Sequence, residues 1–243
     1  MRRIILINFL FLITHFASAQ FTDSTNQLLH LTGTGMINQS EESNYFILNS
    51  VFKYSVRKKS VVLNEVSSIM YGKQEEKLLN NDYSFSLDFN LYKTWPGFYY
   101  WGLGTFDKSY SLKLNSRFQV GAGAAYNLWD RKNFFFNLSD GIIYEQSHLD
   151  IADGNTQSVE TIRNSLRVKL RYTYKEIITL EGTHFFQPSM TIKRDYIIKS
   201  TTSLLFRIRS GIFLNASVNY NRLNYTNSEN LLLSFGVTME RYF

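Results

Sequence analysis

The sequence predicts an all-β fold: a single up-and-down antiparallel outer-membrane β-barrel of about twelve strands. Three observations predict it. Apolar and polar side chains alternate with period two, in runs as long as a tilted membrane-crossing strand needs and about twice the usual globular strand. The connections between the runs alternate between tight and long, and the final run has one apolar face and stops on Phe243.

Residues 1–19 have the pattern of a cleaved secretory signal. Arg2 and Arg3 are a positive start, Ile4 to Phe16 a short apolar core, and Ala17-Ser18-Ala19 an A-x-A site that makes Gln20 the first mature residue. Its apolar run is too short to span a bilayer as a helix, and no later stretch reaches the ~20 apolar residues a helical span requires. Cleavage takes the formal charge from +6 to +4. No linker or low-complexity stretch divides residues 20–243, which are expected to form the barrel.

The predicted strands are Leu28–Asn38, Tyr45–Arg57, Val61–Gly72, Asp82–Thr94, Phe98–Phe106, Ser111–Leu128, Asn133–Gln146, Thr161–Tyr174, Ile177–Gln187, Tyr196–Arg209, Ile212–Asn224 and Leu231–Phe243. In the sixth, Leu112, Leu114, Phe118, Val120, Ala122, Ala124, Tyr126 and Leu128 share a face interrupted only by Ser116. In the eighth, Leu166, Val168, Leu170 and Tyr172 oppose Arg163, Ser165, Arg167, Lys169 and Arg171. In a membrane barrel the apolar faces meet lipid and the polar faces line the interior. Asp140 is the discordant residue: alternation sets it among Phe136, Leu138 and Ile142 on the lipid side, which calls for a bulge or an interfacial position.

Arg57–Ser60, Trp95-Pro96-Gly97, Trp129–Lys132, Lys175-Glu176 and Ser210 read as tight turns, the periplasmic set. Lys73–Asn81, Ser147–Glu160 and Pro188–Asp195 read as long polar loops on the opposite side. Both prolines, Pro96 and Pro188, fall in connections, where a missing N–H is harmless. Aromatics gather at strand ends as two girdles. Trp95, Phe98, Tyr99, Trp129, Tyr172, Tyr174, Tyr242 and Phe243 lie toward the short turns. Tyr45, Phe46, Tyr71, Tyr83, Tyr144, Phe185, Phe186 and Tyr220 lie toward the long loops.

Composition excludes several classes of function. There is no cysteine, hence no disulfide, thiolate nucleophile or cysteine-ligated metal. Basic residues are spread along strands with no recognition motif, so a nucleic-acid partner is not expected. The expected partners are outer-membrane lipid and the outer-membrane assembly machinery, which reads Phe243 as an insertion signal. The oligomeric state is left open.

Three stretches carry a family resemblance: W-G-L-G-T-F-D from Trp101 to Asp107, F-Q-V-G-A-G-A-A-Y from Phe118 to Tyr126, and S-D-G-I-I-Y-E from Ser139 to Glu145. Their order and spacing resemble the salt-induced outer-membrane proteins, the domain-of-unknown-function family numbered 481. The similarity is clearest over Asp82 to Phe243; the first three strands match only in pattern. The resemblance implies a membrane barrel and expression linked to salt or osmotic stress, and it carries no catalytic or ligand residues. From the residues themselves, Gly102, Gly104, Gly121, Gly123 and Gly141 are expected inward or mid-strand, where they relieve crowding and let a small barrel coil.

Catalysis has little foothold in the sequence. A Ser–His pair on one strand would read His-x-Ser, yet His30, His148 and His184 are followed two residues later by Thr32, Asp150 and Phe186. His30-x-Thr32 has no evident third member. Asp150 and Asp153 read as loop acids, and three scattered histidines make no metal site. No enzyme activity, cofactor or metal is expected.

The informative set is the predicted lumen. Lys113, Arg117, Arg163, Arg167, Lys169, Arg171, Lys199, Arg207 and Arg209 point inward by alternation, as do Asp88, Glu145 and Glu181, with Glu65 a further candidate. These residues would either fill the lumen with ion pairs or line a basic pore selecting anions. The expected function is therefore a non-enzymatic envelope barrel linked to salt or osmotic stress. The alternatives are a narrow anion-preferring channel and, third, a lipid-modifying enzyme.

Overall fold

The computed structural model describes residues 26–39, 44–92, 95–150 and 155–243. The expected signal segment, residues 1–19, lies outside the described residues. Thirteen strand segments follow one another: β1 (Gln27–Gln39), β2 (Asn44–Lys58), β3 (Val61–Gln74), β4 (Lys77–Leu91), β5 (Phe98–Ser109), β6 (Leu114–Arg131), β7 (Phe134–Asp150), β8 (Thr156–Asn164), β9 (Leu166–Tyr174), β10 (Ile178–Pro188), β11 (Tyr196–Arg209), β12 (Ile212–Leu223) and β13 (Ser228–Tyr242). Each pairs antiparallel with its neighbours. β1 closes on β13 in a register running from Leu28↔Tyr242 to Gly35↔Phe235. β8 and β9 are halves of one strand, both paired with β7, so the closed barrel has twelve staves. Among the described residues no helix is long and apolar enough to cross a membrane; a barrel crosses with strands.

Closure places the apolar face outward. Along β13, Leu231, Leu233, Phe235, Val237 and Met239 are exposed, whereas Leu232, Ser234 and Thr238 are buried in the interior. Trp95, Trp129, Tyr172 and Tyr174 are exposed near the short-turn rim, and Tyr71, Tyr83, Tyr144 and Phe186 toward the other. Among the aromatics expected in the girdles, Phe185 faces the interior against Arg167, and Tyr99 and Tyr242 belong to the interior as well. Tyr99 is buried with its hydroxyl on Asn137 Oδ1 at 3.3 Å, and Tyr242 shares the inward face with Thr238 and Glu240.

Several expectations change where polarity and position part company. Lys73–Asn81 is not a long loop: β3 and β4 continue to a two-residue turn at Glu75 and Glu76, whose φ values of 48° and 65° fit the tight hairpin class. Charged residues there crown strands that run on past the apolar band. For the same reason Ser147–Glu160 shrinks, with β7 reaching Asp150 and β8 starting at Thr156. Lys113 is not a lumen residue. It sits exposed in the turn before β6 with φ 54°, and the register shift between Leu114 and Ser116 turns Leu112 and Leu114 inward, against the plain alternation. Glu65 faces outward, since its ladder partner is the outward Tyr54, and it accepts a hydrogen bond from Ser67. Gly102 and Gly104 also face outward, between the inward Trp101, Leu103 and Thr105.

Asp140 does face the lipid side. The irregularity it demands falls on the neighbouring strand, which breaks at Ser165. Asn164 Nδ2 donates to Asp140 Oδ1 at 2.9 Å, and Ser165 N donates to the Gly141 carbonyl at 2.8 Å.

Candidate functional site in the lumen

The interior is layered along the barrel axis. At the end opposite the short turns, three connections roof the mouth. The β5–β6 turn folds inward, with Ser111 Oγ donating to Asp82 Oδ2 at 2.9 Å and Asn230 Nδ2 donating to Ser111 Oγ at 3.0 Å. Thr226 Oγ1 in the β12–β13 turn donates to the Leu112 carbonyl at 3.3 Å, and Asn224 Nδ2 donates to the Arg194 carbonyl of the β10–β11 connection at 2.8 Å. Beneath them Leu112, Leu114, Leu149, Val159, Ile197 and Leu223 form an apolar cluster, with Ile192 and Tyr225 packed against it. Adjacent roof connections are tied by hydrogen bonds and share one apolar underside.

Below the roof lies a layer of buried charge. The Arg163 guanidinium is 1% exposed and grips the 1% exposed Glu145 with two bonds, Nε to Oε2 at 2.8 Å and Nη2 to Oε1 at 3.0 Å. Arg163 Nη2 also reaches Asp195 Oδ2 at 2.6 Å, which fastens the base of the β10–β11 connection to the wall. Gln119 Nε2 and Ser147 Oγ donate to the remaining Glu145 sites at 2.6 and 2.8 Å. Next to it Arg117, 2% exposed, holds Asp107 Oδ2 through Nε at 3.1 Å and Nη2 at 2.8 Å, and Lys199 Nζ joins the same oxygen at 2.9 Å. Arg167 reaches across to Asp88 Oδ2 at 3.3 Å and donates to Ser139 Oγ at 3.0 Å. Four cations thus meet four carboxylates: Arg117, Arg163, Arg167 and Lys199 with Asp88, Asp107, Glu145 and Asp195. Charge this deeply buried persists only when paired and hydrogen-bonded, as here.

The three stretches that carry the resemblance converge on this layer. The Trp101 indole is buried against the wall, its Nε1 donating to the Ala124 carbonyl at 3.2 Å. It lies over the paired Gly123 and Gly141; a Cβ on Gly123 would stand 2.6 Å from Trp101 Cζ2. The Arg167 guanidinium sits 5.7 Å from the Trp101 ring centre and 6.0 Å from that of Phe185. Asp107 and Glu145, the last residues of two of the stretches, are the acids that Arg117 and Arg163 hold.

Toward the short turns the lumen opens along β9 and β11, while Tyr99 and Asn137 stay buried beside β5 and β7. Along β9 exposure rises from buried Arg167 through half-buried Lys169 to exposed Arg171. Arg171 packs on Phe135 at 5.9 Å and Arg207 on Phe213 at 5.6 Å. Glu181 stands opposite Arg171 in the ladder. Arg209 is exposed at the rim beside a register shift, outside this space. Phe243 closes the seam: its carbonyl accepts from Asn26 N at 2.9 Å and its N donates to Gln27 O at 3.0 Å, with its ring exposed. In the turns themselves, hydrogen bonding from Lys132 holds the Glu176 carboxyl below the usual range.

Sequence spacing found Thr32 beside His30 but missed the other partners of the histidines, which lie across strands rather than along them. His184 Nδ1 meets Ser200 Oγ at 2.7 Å and His148 Nδ1 meets Ser116 Oγ at 3.2 Å. Inside, His30 Nδ1 meets Glu240 Oε1 and Nε2 meets Thr32 Oγ1, both at 3.0 Å. Thr32 Oγ1 is also bonded to Thr238 Oγ1 at 2.9 Å, and Asn215 Nδ2 donates to Thr238 Oγ1 at 3.1 Å. This is a continuous polar chain along the wall. The strand N–H groups beside it are committed to the β1 ladders, so they offer no oxyanion donors. Among the described residues no group of three His, Asp or Glu is placed to hold a metal. A concavity of about 420 Å³ lies on the outer wall around Gly33, Ser50, Phe52 and Ile69, away from the charged lumen, where lipid chains cover a barrel.

The architecture is that of an outer-membrane β-barrel, a class defined by a closed meander with an apolar exterior and a polar interior. The family model described as "Protein of unknown function, DUF481" matches residues 33–233, and the chain belongs to that family. Solved structures of similar fold include the NanC porin, at 12% identity and TM-score 0.53, covering 87% of this chain and 98% of that one. The translocator domain of the autotransporter NalP from Neisseria meningitidis has 11% identity and TM-score 0.52, covering 98% and 93%. An outer membrane channel from Pseudomonas putida F1 has 9% identity and TM-score 0.52, covering 95% and 100%. At these identities the likeness concerns the fold. No curated protein sequence matches the chain.

Proposed function

We propose that this protein is a non-enzymatic barrel of the outer membrane, exported by its amino-terminal signal, whose lumen is filled by its own side chains and whose outer mouth is closed. The observation that carries this reading is the balanced layer of four cations, three buried arginines and the half-buried Lys199, with four carboxylates beneath a roof of hydrogen-bonded connections. The two-sided burial of Arg117, Arg163 and Glu145 leaves them almost no contact with solvent. Purified protein in planar bilayers should then show no stepwise current at any salt concentration. Sustained single-channel steps would overturn the reading. The salt-stress link implied by family resemblance predicts higher abundance after a salt upshift, measured by quantitative immunoblot.

A second reading, a narrow anion-preferring channel, draws on Lys169, Arg171 and Arg207, which no salt bridge among the described residues neutralises, and on a porin and a channel being among the similar structures. On that reading, replacing Arg167 and Arg171 with Glu reverses ion preference in the same bilayers.

A further inference from the structure

The interior cations fall into two groups with different chemistry. The upper group is consumed by its four carboxylates. The lower group, Lys53, Lys169, Arg171 and Arg207, is not. Lys53 lies on the inward face of β2, level in the ladder with His30. The Lys169 ammonium lies within electrostatic range of Lys53 and Arg167 and of one carboxylate, Asp88, which Arg167 already holds. Lys169 and Lys53 make no hydrogen bond or ion pair among the described residues. The guanidiniums of Arg171 and Arg207 rest on the faces of Phe135 and Phe213 rather than on acids, which orients their donors without neutralising them. Arg171 and Arg207 both lie within electrostatic range of the Tyr242 hydroxyl, as do Glu181 and Glu240. Glu240 is engaged by His30, and no ion pair links Glu181 to Arg171. Positive charge is in excess in the half of the lumen that is open.

We propose that this half is a blind cup that binds a small polyanion bearing two or more phosphate or carboxylate groups, entering from the short-turn side. The inference rests on the closed-mouth reading, since a roof makes the space a cup rather than a pore. Cations from β2, β9 and β11 surround the space, so an anion with separated charges can engage more than one strand, and planar guanidiniums favour bidentate oxyanions. The half-burial of Lys53 and Lys169 strengthens their contacts over ones at an open surface. A polymer cannot thread past the roof, which limits the ligand to a molecule that fits below the ion-paired layer.

The test is titration calorimetry of the full-length refolded barrel in a zwitterionic detergent at low salt, with pyrophosphate in one arm and citrate in the other. Saturable binding of either supports the cup and names its preferred group; binding of neither overturns it. Lys169→Ala and Arg171→Ala should each weaken binding about tenfold or more, while Lys132→Ala, in an exterior turn, should leave it unchanged. Should either lumen variant lose the heat-modifiable mobility of a folded barrel, Lys53→Ala takes its place. Equal affinity in folded lumen variants and wild type would overturn the site. Bilayer recordings on the same preparation separate the two ideas: stepwise current with anion binding intact overturns the closed mouth, and with it the blind end of the cup, but keeps the anion site, whereas silence without binding overturns the anion site alone.

Discussion

Arg163 shows what single residues do in this lumen. Its guanidinium donates four hydrogen bonds, two to Glu145, one to Asp195 and one to the Gln187 carbonyl, so one side chain joins the wall, the charged layer and the roof. Removing it strands two buried carboxylates. Arg163→Ala should cost about 3–5 kcal/mol in reversible urea unfolding from detergent or bilayer, because the unpaired partners remain buried. Exterior Lys132→Ala should change stability by less than about 1 kcal/mol, since the Lys132–Glu176 pair is exposed. Trp101 makes the matching point for packing. Gly123→Val would drive a side chain into the Trp101 ring and the backbone of β7, so loss of folded, heat-modifiable protein is expected even though valine is a better strand former.

At the scale of elements, the broken strand and the roof matter most. β8 and β9 part opposite Asp140, and Asn164 supplies the amide that an acid on the lipid side requires. Asn164→Ala should destabilise by about 1–3 kcal/mol, and Asp140→Ala in the same background should recover much of that; a double-mutant cycle measures the coupling. The roof depends on the bridge from Arg163 to Asp195 and on the apolar residues beneath it. Asp195→Ala should release the β10–β11 connection while leaving the barrel closed. The expected readout is faster amide exchange confined to residues 189–195, with the ladder between β10 and β11 still protected.

For the whole molecule, closure depends on the seam between β1 and β13, where Phe243 adds hydrogen bonds at the very end of the chain. Deleting Phe243 should impair assembly in cells without altering any chemistry, seen as loss of the heat-modifiable band in membrane fractions. Normal folding of the truncated chain would overturn the expectation that Phe243 serves as an insertion signal. Strand number, order and the lipid-facing side were legible because period-two alternation survives in nearly every run, from Leu231–Met239 to Leu166–Tyr172. Where alternation failed, at Leu112 and Leu114, a bulge had shifted the register, and a bulge leaves no mark in hydrophobic pattern. The loop at Lys73–Asn81 was misread because charge marks the edge of the membrane, not the end of a strand.

The inward set of Arg117, Glu145, Arg163, Arg167, Lys169, Arg171, Glu181 and Arg207 was likewise readable, since facing is a local property. Which of them pair was not. Arg167 meets Asp88 and Lys199 meets Asp107 across the barrel, and His30 finds Glu240 at the far end of the chain. By itself the sequence determined the architecture and most of the side chains that enter the lumen, because both follow from neighbours along and beside a strand; Lys113, Glu65 and Arg209 are the exceptions. Only the tertiary structure decided which lumen cations are ion-paired, Arg117, Arg163, Arg167 and Lys199, and which, among the described residues, are not. Ion pairing inside a closed cylinder depends on height and tilt around the whole circumference, and those exist only once β13 has met β1.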